Sequence, residues 1–221
     1  MKRLQQRSWL AIFWRWQLEP HRDKINKKSL ELFLSKLNRP ESYNMDLEQY
    51  PTDAGTAATL LMGAYLDGNI YDKSVIDLGT GNGVFAIGAG YLGARCTGID
   101  VDEKMIDLAE NNCCKFRCNC NFIKTGVAEV TGSYDTVVMN PPFGSIIKHD
   151  DLPFIKKAIE IGTNIYSIHN MASYEFINEF YSRYLNIVRK TRIFIRVPMI
   201  YPHHKYKYRD IESILIYGIK N

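Results

Sequence analysis

The run Val75-Ile76-Asp77-Leu78-Gly79-Thr80-Gly81-Asn82-Gly83 constrains the fold more than any other part of this chain. A short apolar stretch over 73–77 runs into three alternate glycines and then into an apolar helix predicted over 84–92. A strand that ends in glycines and opens a helix brings bare backbone up to a ligand, and it is a building unit of parallel α/β sheets. The rest of the chain keeps the same alternation. Helices are predicted over 29–37, stopped by Pro40, and over 52–66, ended by Asp67-Gly68-Asn69. Strands are predicted over 95–100, 121–124, 134–139, 164–168, 187–197 and 210–218. Helices over 102–116, with Asp102 as N-cap, 152–162 and 172–184 separate most of them. Only a Pro/His/Lys/Tyr loop joins the last two strands, so they are expected to pair antiparallel. The expected fold is a doubly wound, seven-stranded, mostly parallel α/β sheet of the Rossmann-like kind, with an antiparallel last strand.

Length and charge bound the organisation. With 221 residues, 46% of them hydrophobic, the chain can fill one core without metal or disulfide staples. No apolar run approaches the roughly 20 residues that span a bilayer. The apolar stretch over 9–14 is too short for a secretory leader and no small-residue cleavage site follows it, so a cytoplasmic protein is expected. Residues 1–27 lie outside the alternating pattern and hold all three tryptophans, Trp9, Trp14 and Trp16, among basic residues. They are read as a poorly ordered basic extension ahead of a single domain over 28–221. Cys113, Cys114, Cys118 and Cys120 crowd together without two separated C-x-x-C knuckles, so free thiols and no metal are expected. The net charge of +4 is unevenly spread. Residues 1–28 and 180–209 carry eight Lys/Arg each against two acids and none, whereas 29–179 carries 11 Lys/Arg and 20 Asp/Glu. Basic ends around an acidic middle suit a protein that holds a polyanion along one side.

Two motifs carry the chemistry. The glycines are spaced G-x-G-x-G, not the G-x-G-x-x-G that cradles a pyrophosphate. Asp100 follows at the end of the next strand, placed to accept hydrogen bonds from ribose hydroxyls. Together with Asp77 they describe a nucleoside site with no required diphosphate, as S-adenosylmethionine needs. The second motif is Asn140-Pro141-Pro142-Phe143, straight after a strand. Adjacent prolines stiffen the loop and remove donors, leaving carbonyls. The Asn140 side-chain oxygen and the Pro141 carbonyl can both accept from one planar exocyclic amine, turning its lone pair toward an electrophile. Phe143 offers a stacking face for an extruded base.

Asp77–Gly83, Asp100 and Asn140–Phe143, in that order, resemble the class I S-adenosylmethionine-dependent methyltransferases that act on exocyclic amines. Leu47-Glu48-Gln49-Tyr50-Pro51-Thr52, Tyr166-Ser167-Ile168-His169 and the late Tyr/His/Lys-rich loop narrow the resemblance to the methyltransferase-like protein five family and its archaeal relatives. The likeness covers roughly residues 28–221. It implies methyl transfer to N6 of an adenosine in small-subunit ribosomal RNA, and a small zinc-containing activator protein as partner. It implies that Gln49 and Thr52 close over the methionine end of the cofactor. Gly79, Gly81 and Asn82 would line the cofactor loop, Asp100 would hold the ribose and Val127 would pack on the adenine. Asn140, Pro141, Pro142 and Phe143 would hold the target. The family usually has an acid for the cofactor's adenine amine after the third strand, and here that place holds Gly126. His169 reads as a structural or RNA contact rather than a base. His203, His204, Lys205, Lys207 and Arg209 interleave cations with aromatics and read as an RNA contact. Other planar amines, guanine N2 in RNA or a protein glutamine, fit the same motif. So does a non-catalytic cofactor-binding RNA protein. A dinucleotide oxidoreductase is disfavoured by the glycine spacing.

Overall fold

The computed structural model describes residues 25–41, 52–143, 150–198 and 208–221, and omits the side chains of 197, 198, 208 and 209. In chain order the elements are α1 (Lys27–Leu34), α2 (Ala54–Leu66), β1 (Ser74–Leu78), α3 (Val84–Tyr91), β2 (Arg95–Asp100), α4 (Glu103–Lys115), β3 (Cys120–Lys124), β4 (Tyr134–Met139), α5 (Leu152–Ile161), β5 (Gly162–Asn170), α6 (Tyr174–Ser182), β6 (Leu185–Pro198) and β7 (Tyr208–Lys220). Short 3-10 turns occupy Val127–Glu129 and Met171–Ser173.

The strands form one seven-stranded sheet in the order β3-β2-β1-β4-β5-β7-β6. The first five are mutually parallel, and β7 lies antiparallel between β5 and β6. This is the expected doubly wound sheet. Helices cover both faces, which explains why β1 and β4 read as continuous apolar runs rather than alternating ones. Val75, Ile76, Leu78, Val137, Val138 and Met139 are all essentially inaccessible. On one face Leu30, Leu60, Leu61 and Ile87 from α1, α2 and α3 pack on Tyr166 and Leu215. On the other, Ile155 and Ile177 from α5 and α6 pack on Ile76, Val137 and Ile216.

Several boundaries move, for local reasons. Helix α1 begins two residues earlier than its apolar spacing indicates. The Asn26 side chain accepts from the Ser29 backbone N–H at 3.0 Å, and Ser29 Oγ accepts from the Asn26 N–H at 3.1 Å, a reciprocal capping box. Helix α2 starts at Ala54 because the Asp53 carboxylate takes both the backbone N–H and the hydroxyl of Thr56. Helix α5 runs straight into β5 at Gly162, where a Cβ would stand 2.5 Å from Val137 Cγ2. The helix expected over 172–184 is a 3-10 turn followed by the shorter α6.

The register places Leu78 beside Met139. The glycine loop after β1 and the Asn140 loop after β4 therefore leave the sheet side by side. This is where the sheet's winding reverses, and ligands bind parallel sheets at such a point.

Candidate active site

The glycine loop is organised from below by a buried acid. Asp77 is fully inaccessible, and its Oδ2 accepts from Thr80 Oγ1 at 2.7 Å and from the Ala86 N–H at 3.1 Å. Burial pushes its carboxyl up to about 7, against the lowering effect of those two bonds. Its other oxygen has no partner. The carboxylate thus faces the turn and does not line the crevice, which corrects its reading as a direct cofactor contact. The Gly79 and Thr80 N–H groups both donate to Ile99 O, tying the loop to β2.

Two of the glycines are required for different reasons. Gly83 has φ +85°, and a Cβ there would meet Ile87 Cδ1 at 2.9 Å and Ala109 at 3.2 Å, so its absence lets α3 seat against α4. Gly81 has φ +53°, and its Cβ direction is open. It presents backbone to an open cradle rather than to protein.

That cradle is a crevice of about 290 Å3. Its walls include Thr52, Gly79, Gly81, Asn82, Asp100, Val127, Asn140, Pro141 and Pro142, so most of the residues singled out from the sequence converge on one cavity. Asp100 Oδ2 accepts from the Gly81 N–H at 2.9 Å and Oδ1 from the Asp102 N–H at 3.0 Å. Burial raises its carboxyl above the ordinary range, opposed by these bonds. Between them the two oxygens keep acceptor capacity for a ligand hydroxyl. Beside it Val101, 56% exposed, and Met105 supply apolar wall.

Asn140 is the polar group most clearly set for a further partner. Its Nδ2 donates to Thr52 Oγ1 at 2.9 Å, which fixes the amide plane. Its Oδ1 is buried and accepts nothing. A buried amide oxygen without a donor costs about 1–3 kcal/mol, which a ligand that donates to it would recover. Phe143 stands outside this cavity, half-buried against the core under α2 and α3.

Other expected residues fall elsewhere. His169 is 1% exposed and is no RNA contact, because β5, α5 and α6 enclose it. Its Nε2 lies 3.0 Å from Ser167 Oγ and 3.3 Å from Tyr181 OH, and its Nδ1 lies 3.5 Å from Asp151 Oδ2. Tyr181 OH donates to Ser167 Oγ. Ser167 can donate to Nε2 when the ring carries its proton on Nδ1, which faces Asp151 but has no hydrogen-bond partner. Asp151 opens α5 without capping it, its carboxylate turned toward the histidine. Asp150, just ahead of α5, and Phe154 in its first turn line the crevice, with Phe154 Cε1 3.2 Å from a Cβ position on Gly79. Gln49, His203, His204, Lys205 and Lys207 lie outside the described residues, and Arg209 is described only as backbone in β7.

Sequence reasoning missed Pro40, Met105, Asp150 and Phe154, none of which belongs to either motif. It also missed Asn112. This inaccessible side chain donates to Asn38 O and Asn82 O and accepts from the Asn38 N–H, stitching the chain before Pro40 to the glycine loop. Val101 was within reach, since it follows the ribose acid directly.

Comparisons with known proteins give the family and the fold. A family model described as the methyltransferase small domain matches residues 50–161. MJ0284 of Methanocaldococcus jannaschii is 37% identical over 205 residues, covering 86% of this chain and 93% of the relative. The Danio rerio rRNA N(6)-adenosine-methyltransferase METTL5 is 34% identical over 202 residues, covering 84% and 94%. Among solved structures, PH1948 of Pyrococcus horikoshii superposes with a TM-score of 0.82 at 35% identity, covering 89% of this chain and 98% of that one. The Thermoplasma acidophilum 1320 structure gives 0.73 at 41% identity, covering 88% and 97%.

Proposed function

Because the chain belongs to the small-domain methyltransferase family, in the group that holds METTL5 and its archaeal relatives, we propose that it transfers a methyl group from S-adenosylmethionine to N6 of an adenosine in RNA, ribosomal RNA of the small subunit. The observation that carries this reading is the Asn140 amide, clamped by Thr52 with its oxygen buried and unpartnered at the rim of the crevice. An exocyclic amine is the donor such an oxygen lacks. Three relatives from zebrafish, fly and worm are named as rRNA N(6)-adenosine methyltransferases, which supports adenosine over other planar amines.

The crevice fits the cofactor. Asp100 offers lone pairs to a ribose, the open side of Gly81 admits its backbone to close contact, and Val101, Val127 and Met105 form an apolar slot for a planar base. S-adenosylmethionine, when bound, supplies an activated methyl on a sulfonium. Gly126 leaves no side chain for the adenine amine, but the Glu129 carboxylate curls back to that place. Its Oε2 accepts from the Gly126 N–H at 3.2 Å and from Thr125 Oγ1 at 3.0 Å. It stands 3.5–3.8 Å from where a Cβ on residue 126 would sit, and its second oxygen is the acceptor we assign to that amine.

The protein's work is orientation and exclusion of water. Asn140 and the Pro141 carbonyl draw the two amine protons into one plane, leaving the nitrogen lone pair facing the crevice. No strong base is needed, since the proton leaves to water after transfer. A small zinc-containing activator and a cytoplasmic setting complete the reading; no helix among the described residues is long and apolar enough to cross a membrane.

The test is Asn140→Ala. Methyl transfer should fall at least a hundredfold while calorimetric S-adenosylmethionine affinity stays within about threefold, consistent with loss of one positioned acceptor in the transition state. Labelled methyl groups should be found on N6-methyladenosine by mass spectrometry of digested RNA. Label on guanine N2 or on protein glutamine would replace the substrate, and an equally active variant would remove Asn140 from the mechanism.

A further inference from the structure

The last two strands do more than close the sheet. β7 pairs with β5 only as far as Ser213, opposite Asn170, but with β6 as far as Tyr208, opposite Pro198. Residues 194–198 and 208–212 therefore form a two-stranded arm that outruns β5. Because β6 runs in the same direction as β4 and β5, the arm projects at the end of the sheet where Asn140 and the glycine loop lie.

The arm carries an aromatic residue among cations. Arg192, Phe194 and Arg196 alternate along β6 and so share one face. Phe194 is 62% exposed. Arg192 pairs with Glu212, and Arg196 donates through Nε to Asp210 Oδ1 at 3.3 Å, leaving its terminal nitrogens uncommitted to any described residue. Phe194, Arg196 and Asp210 line a second cavity, of about 470 Å3, with Arg39 and Asp53 on its other side. Both Asp53 oxygens are already used by Thr56, and Arg39 forms no ion pair among the described residues.

This cavity adjoins the reaction crevice. Arg39 precedes Pro40, and Asp53 follows Thr52; Pro40 and Thr52 line the crevice, and Thr52 is the group that clamps Asn140. A chain whose one base is at Asn140 thus has its next units within reach of Arg39 and Phe194. The geometry points to a flanking-nucleotide site: single-stranded RNA beside the target lays a base on Phe194 and a phosphate against Arg39 and Arg196. This rests on the RNA reading above and adds where the strand goes. A base face on an aromatic ring is sequence-tolerant, and guanidinium groups suit phosphate oxygens. The paired acids Asp210 and Glu212 keep the arm from being a general polyanion trap. Recognition there needs an unpaired strand that can offer base and phosphate together.

The test compares Phe194→Ala, Phe194→Tyr and the double variant Arg39→Ala/Arg196→Ala with the wild type. The probe is a short single-stranded RNA containing the mapped adenosine, with S-adenosylhomocysteine for binding and S-adenosylmethionine for turnover. Phe194→Ala should raise the RNA KM and dissociation constant about tenfold, in the range for loss of one base–aromatic stack, and Phe194→Tyr should restore both. The double variant should flatten the slope of log affinity against log salt by about 0.7 for each phosphate that is no longer neutralised. Cofactor affinity and melting temperature should stay at wild-type values in all three. Wild-type RNA KM and salt slope in the variants would overturn the flanking site while leaving the methyltransferase reading intact. A wild-type enzyme that methylates protein but no RNA would overturn both.

Discussion

At the scale of single residues, the site is built from groups held short of satisfaction. Asn140 lacks a donor for its oxygen, and Asp77 has one oxygen paired twice and the other not at all. Asp77 gives a pH signature. Its folded carboxyl is raised from the ordinary carboxylate range to about 7 by burial. Below about pH 4 both folded and unfolded forms are protonated and the group contributes no penalty. As pH rises to about 7 the unfolded chain ionises first, so the folded state loses stability steadily; above 7 both are ionised and the loss levels off. Asp77→Asn keeps an acceptor for Thr80 and Ala86 without the charge. Its melting temperature relative to wild type should climb between pH 4 and 7 and then plateau, as followed by calorimetry. Parallel curves would mean that Asp77 is ionised at little cost. The sequence made Asp77 and Asp100 visible as acids flanking glycines. It could not show that one turns inward and the other outward, because that depends on which backbone N–H groups the folded loop brings to each.

At the scale of elements, the strand and helix order was legible because apolar runs and glycine or proline breaks alternate along the chain. Ends were less so. Helix α1 begins with Asn26 and Ser29 capping one another, a polar signal that apolar spacing does not register. The domain boundary drawn at residue 28 would cut through that cap. Removing residues 1–24 should therefore leave thermal stability unchanged, whereas removing 1–27 should cost about 1 kcal/mol for the lost cap, read from urea melts. Equal stability of the two truncations would show that α1 holds by its buried Leu30 and Leu34 alone. Helix α5 begins at Leu152, where the sequence places it, but the contact just ahead of that start is not visible in the sequence. Asp151, just before it, faces His169 from eighteen residues away in sequence, and a histidine that reads as a structural or RNA contact proves to be buried and structural. A chemistry-bearing residue type, met without its burial, pulls interpretation toward function.

For the whole molecule, the crevice takes its walls from both halves of the sheet, the loops after β1 and β2 on one side and the β4 loop with α5 on the other. A ligand there ties together elements that would otherwise separate on unfolding. S-adenosylmethionine at one hundred times its dissociation constant should add about 2.7 kcal/mol to stability by mass action. That amounts to a rise of several degrees in melting temperature for a chain of this size. Gly81→Val, which fills the open side of the loop and strains a positive φ, should abolish the rise. A shift that persists in this variant would place the cofactor elsewhere. The uneven charge that first suggested a polyanion is only partly expressed in the described surface: on β6, Arg189, Arg192 and Arg196 each have an acidic partner, and Lys190 bonds Tyr174 and Asn178. Charge counts along a chain cannot distinguish cations left free for a ligand from cations already engaged.

The place of β7 has a consequence for how the protein is made. The strand that follows β6 in the chain sits inside the sheet, and β6, synthesised before it, reaches β5 only through it. While translation is under way β6 has no neighbour to bond, and its apolar residues wait beside an unfinished edge. Completion of the sheet thus waits until β7 has followed β6 off the ribosome, and that interval is when a chaperone would find β6 most exposed.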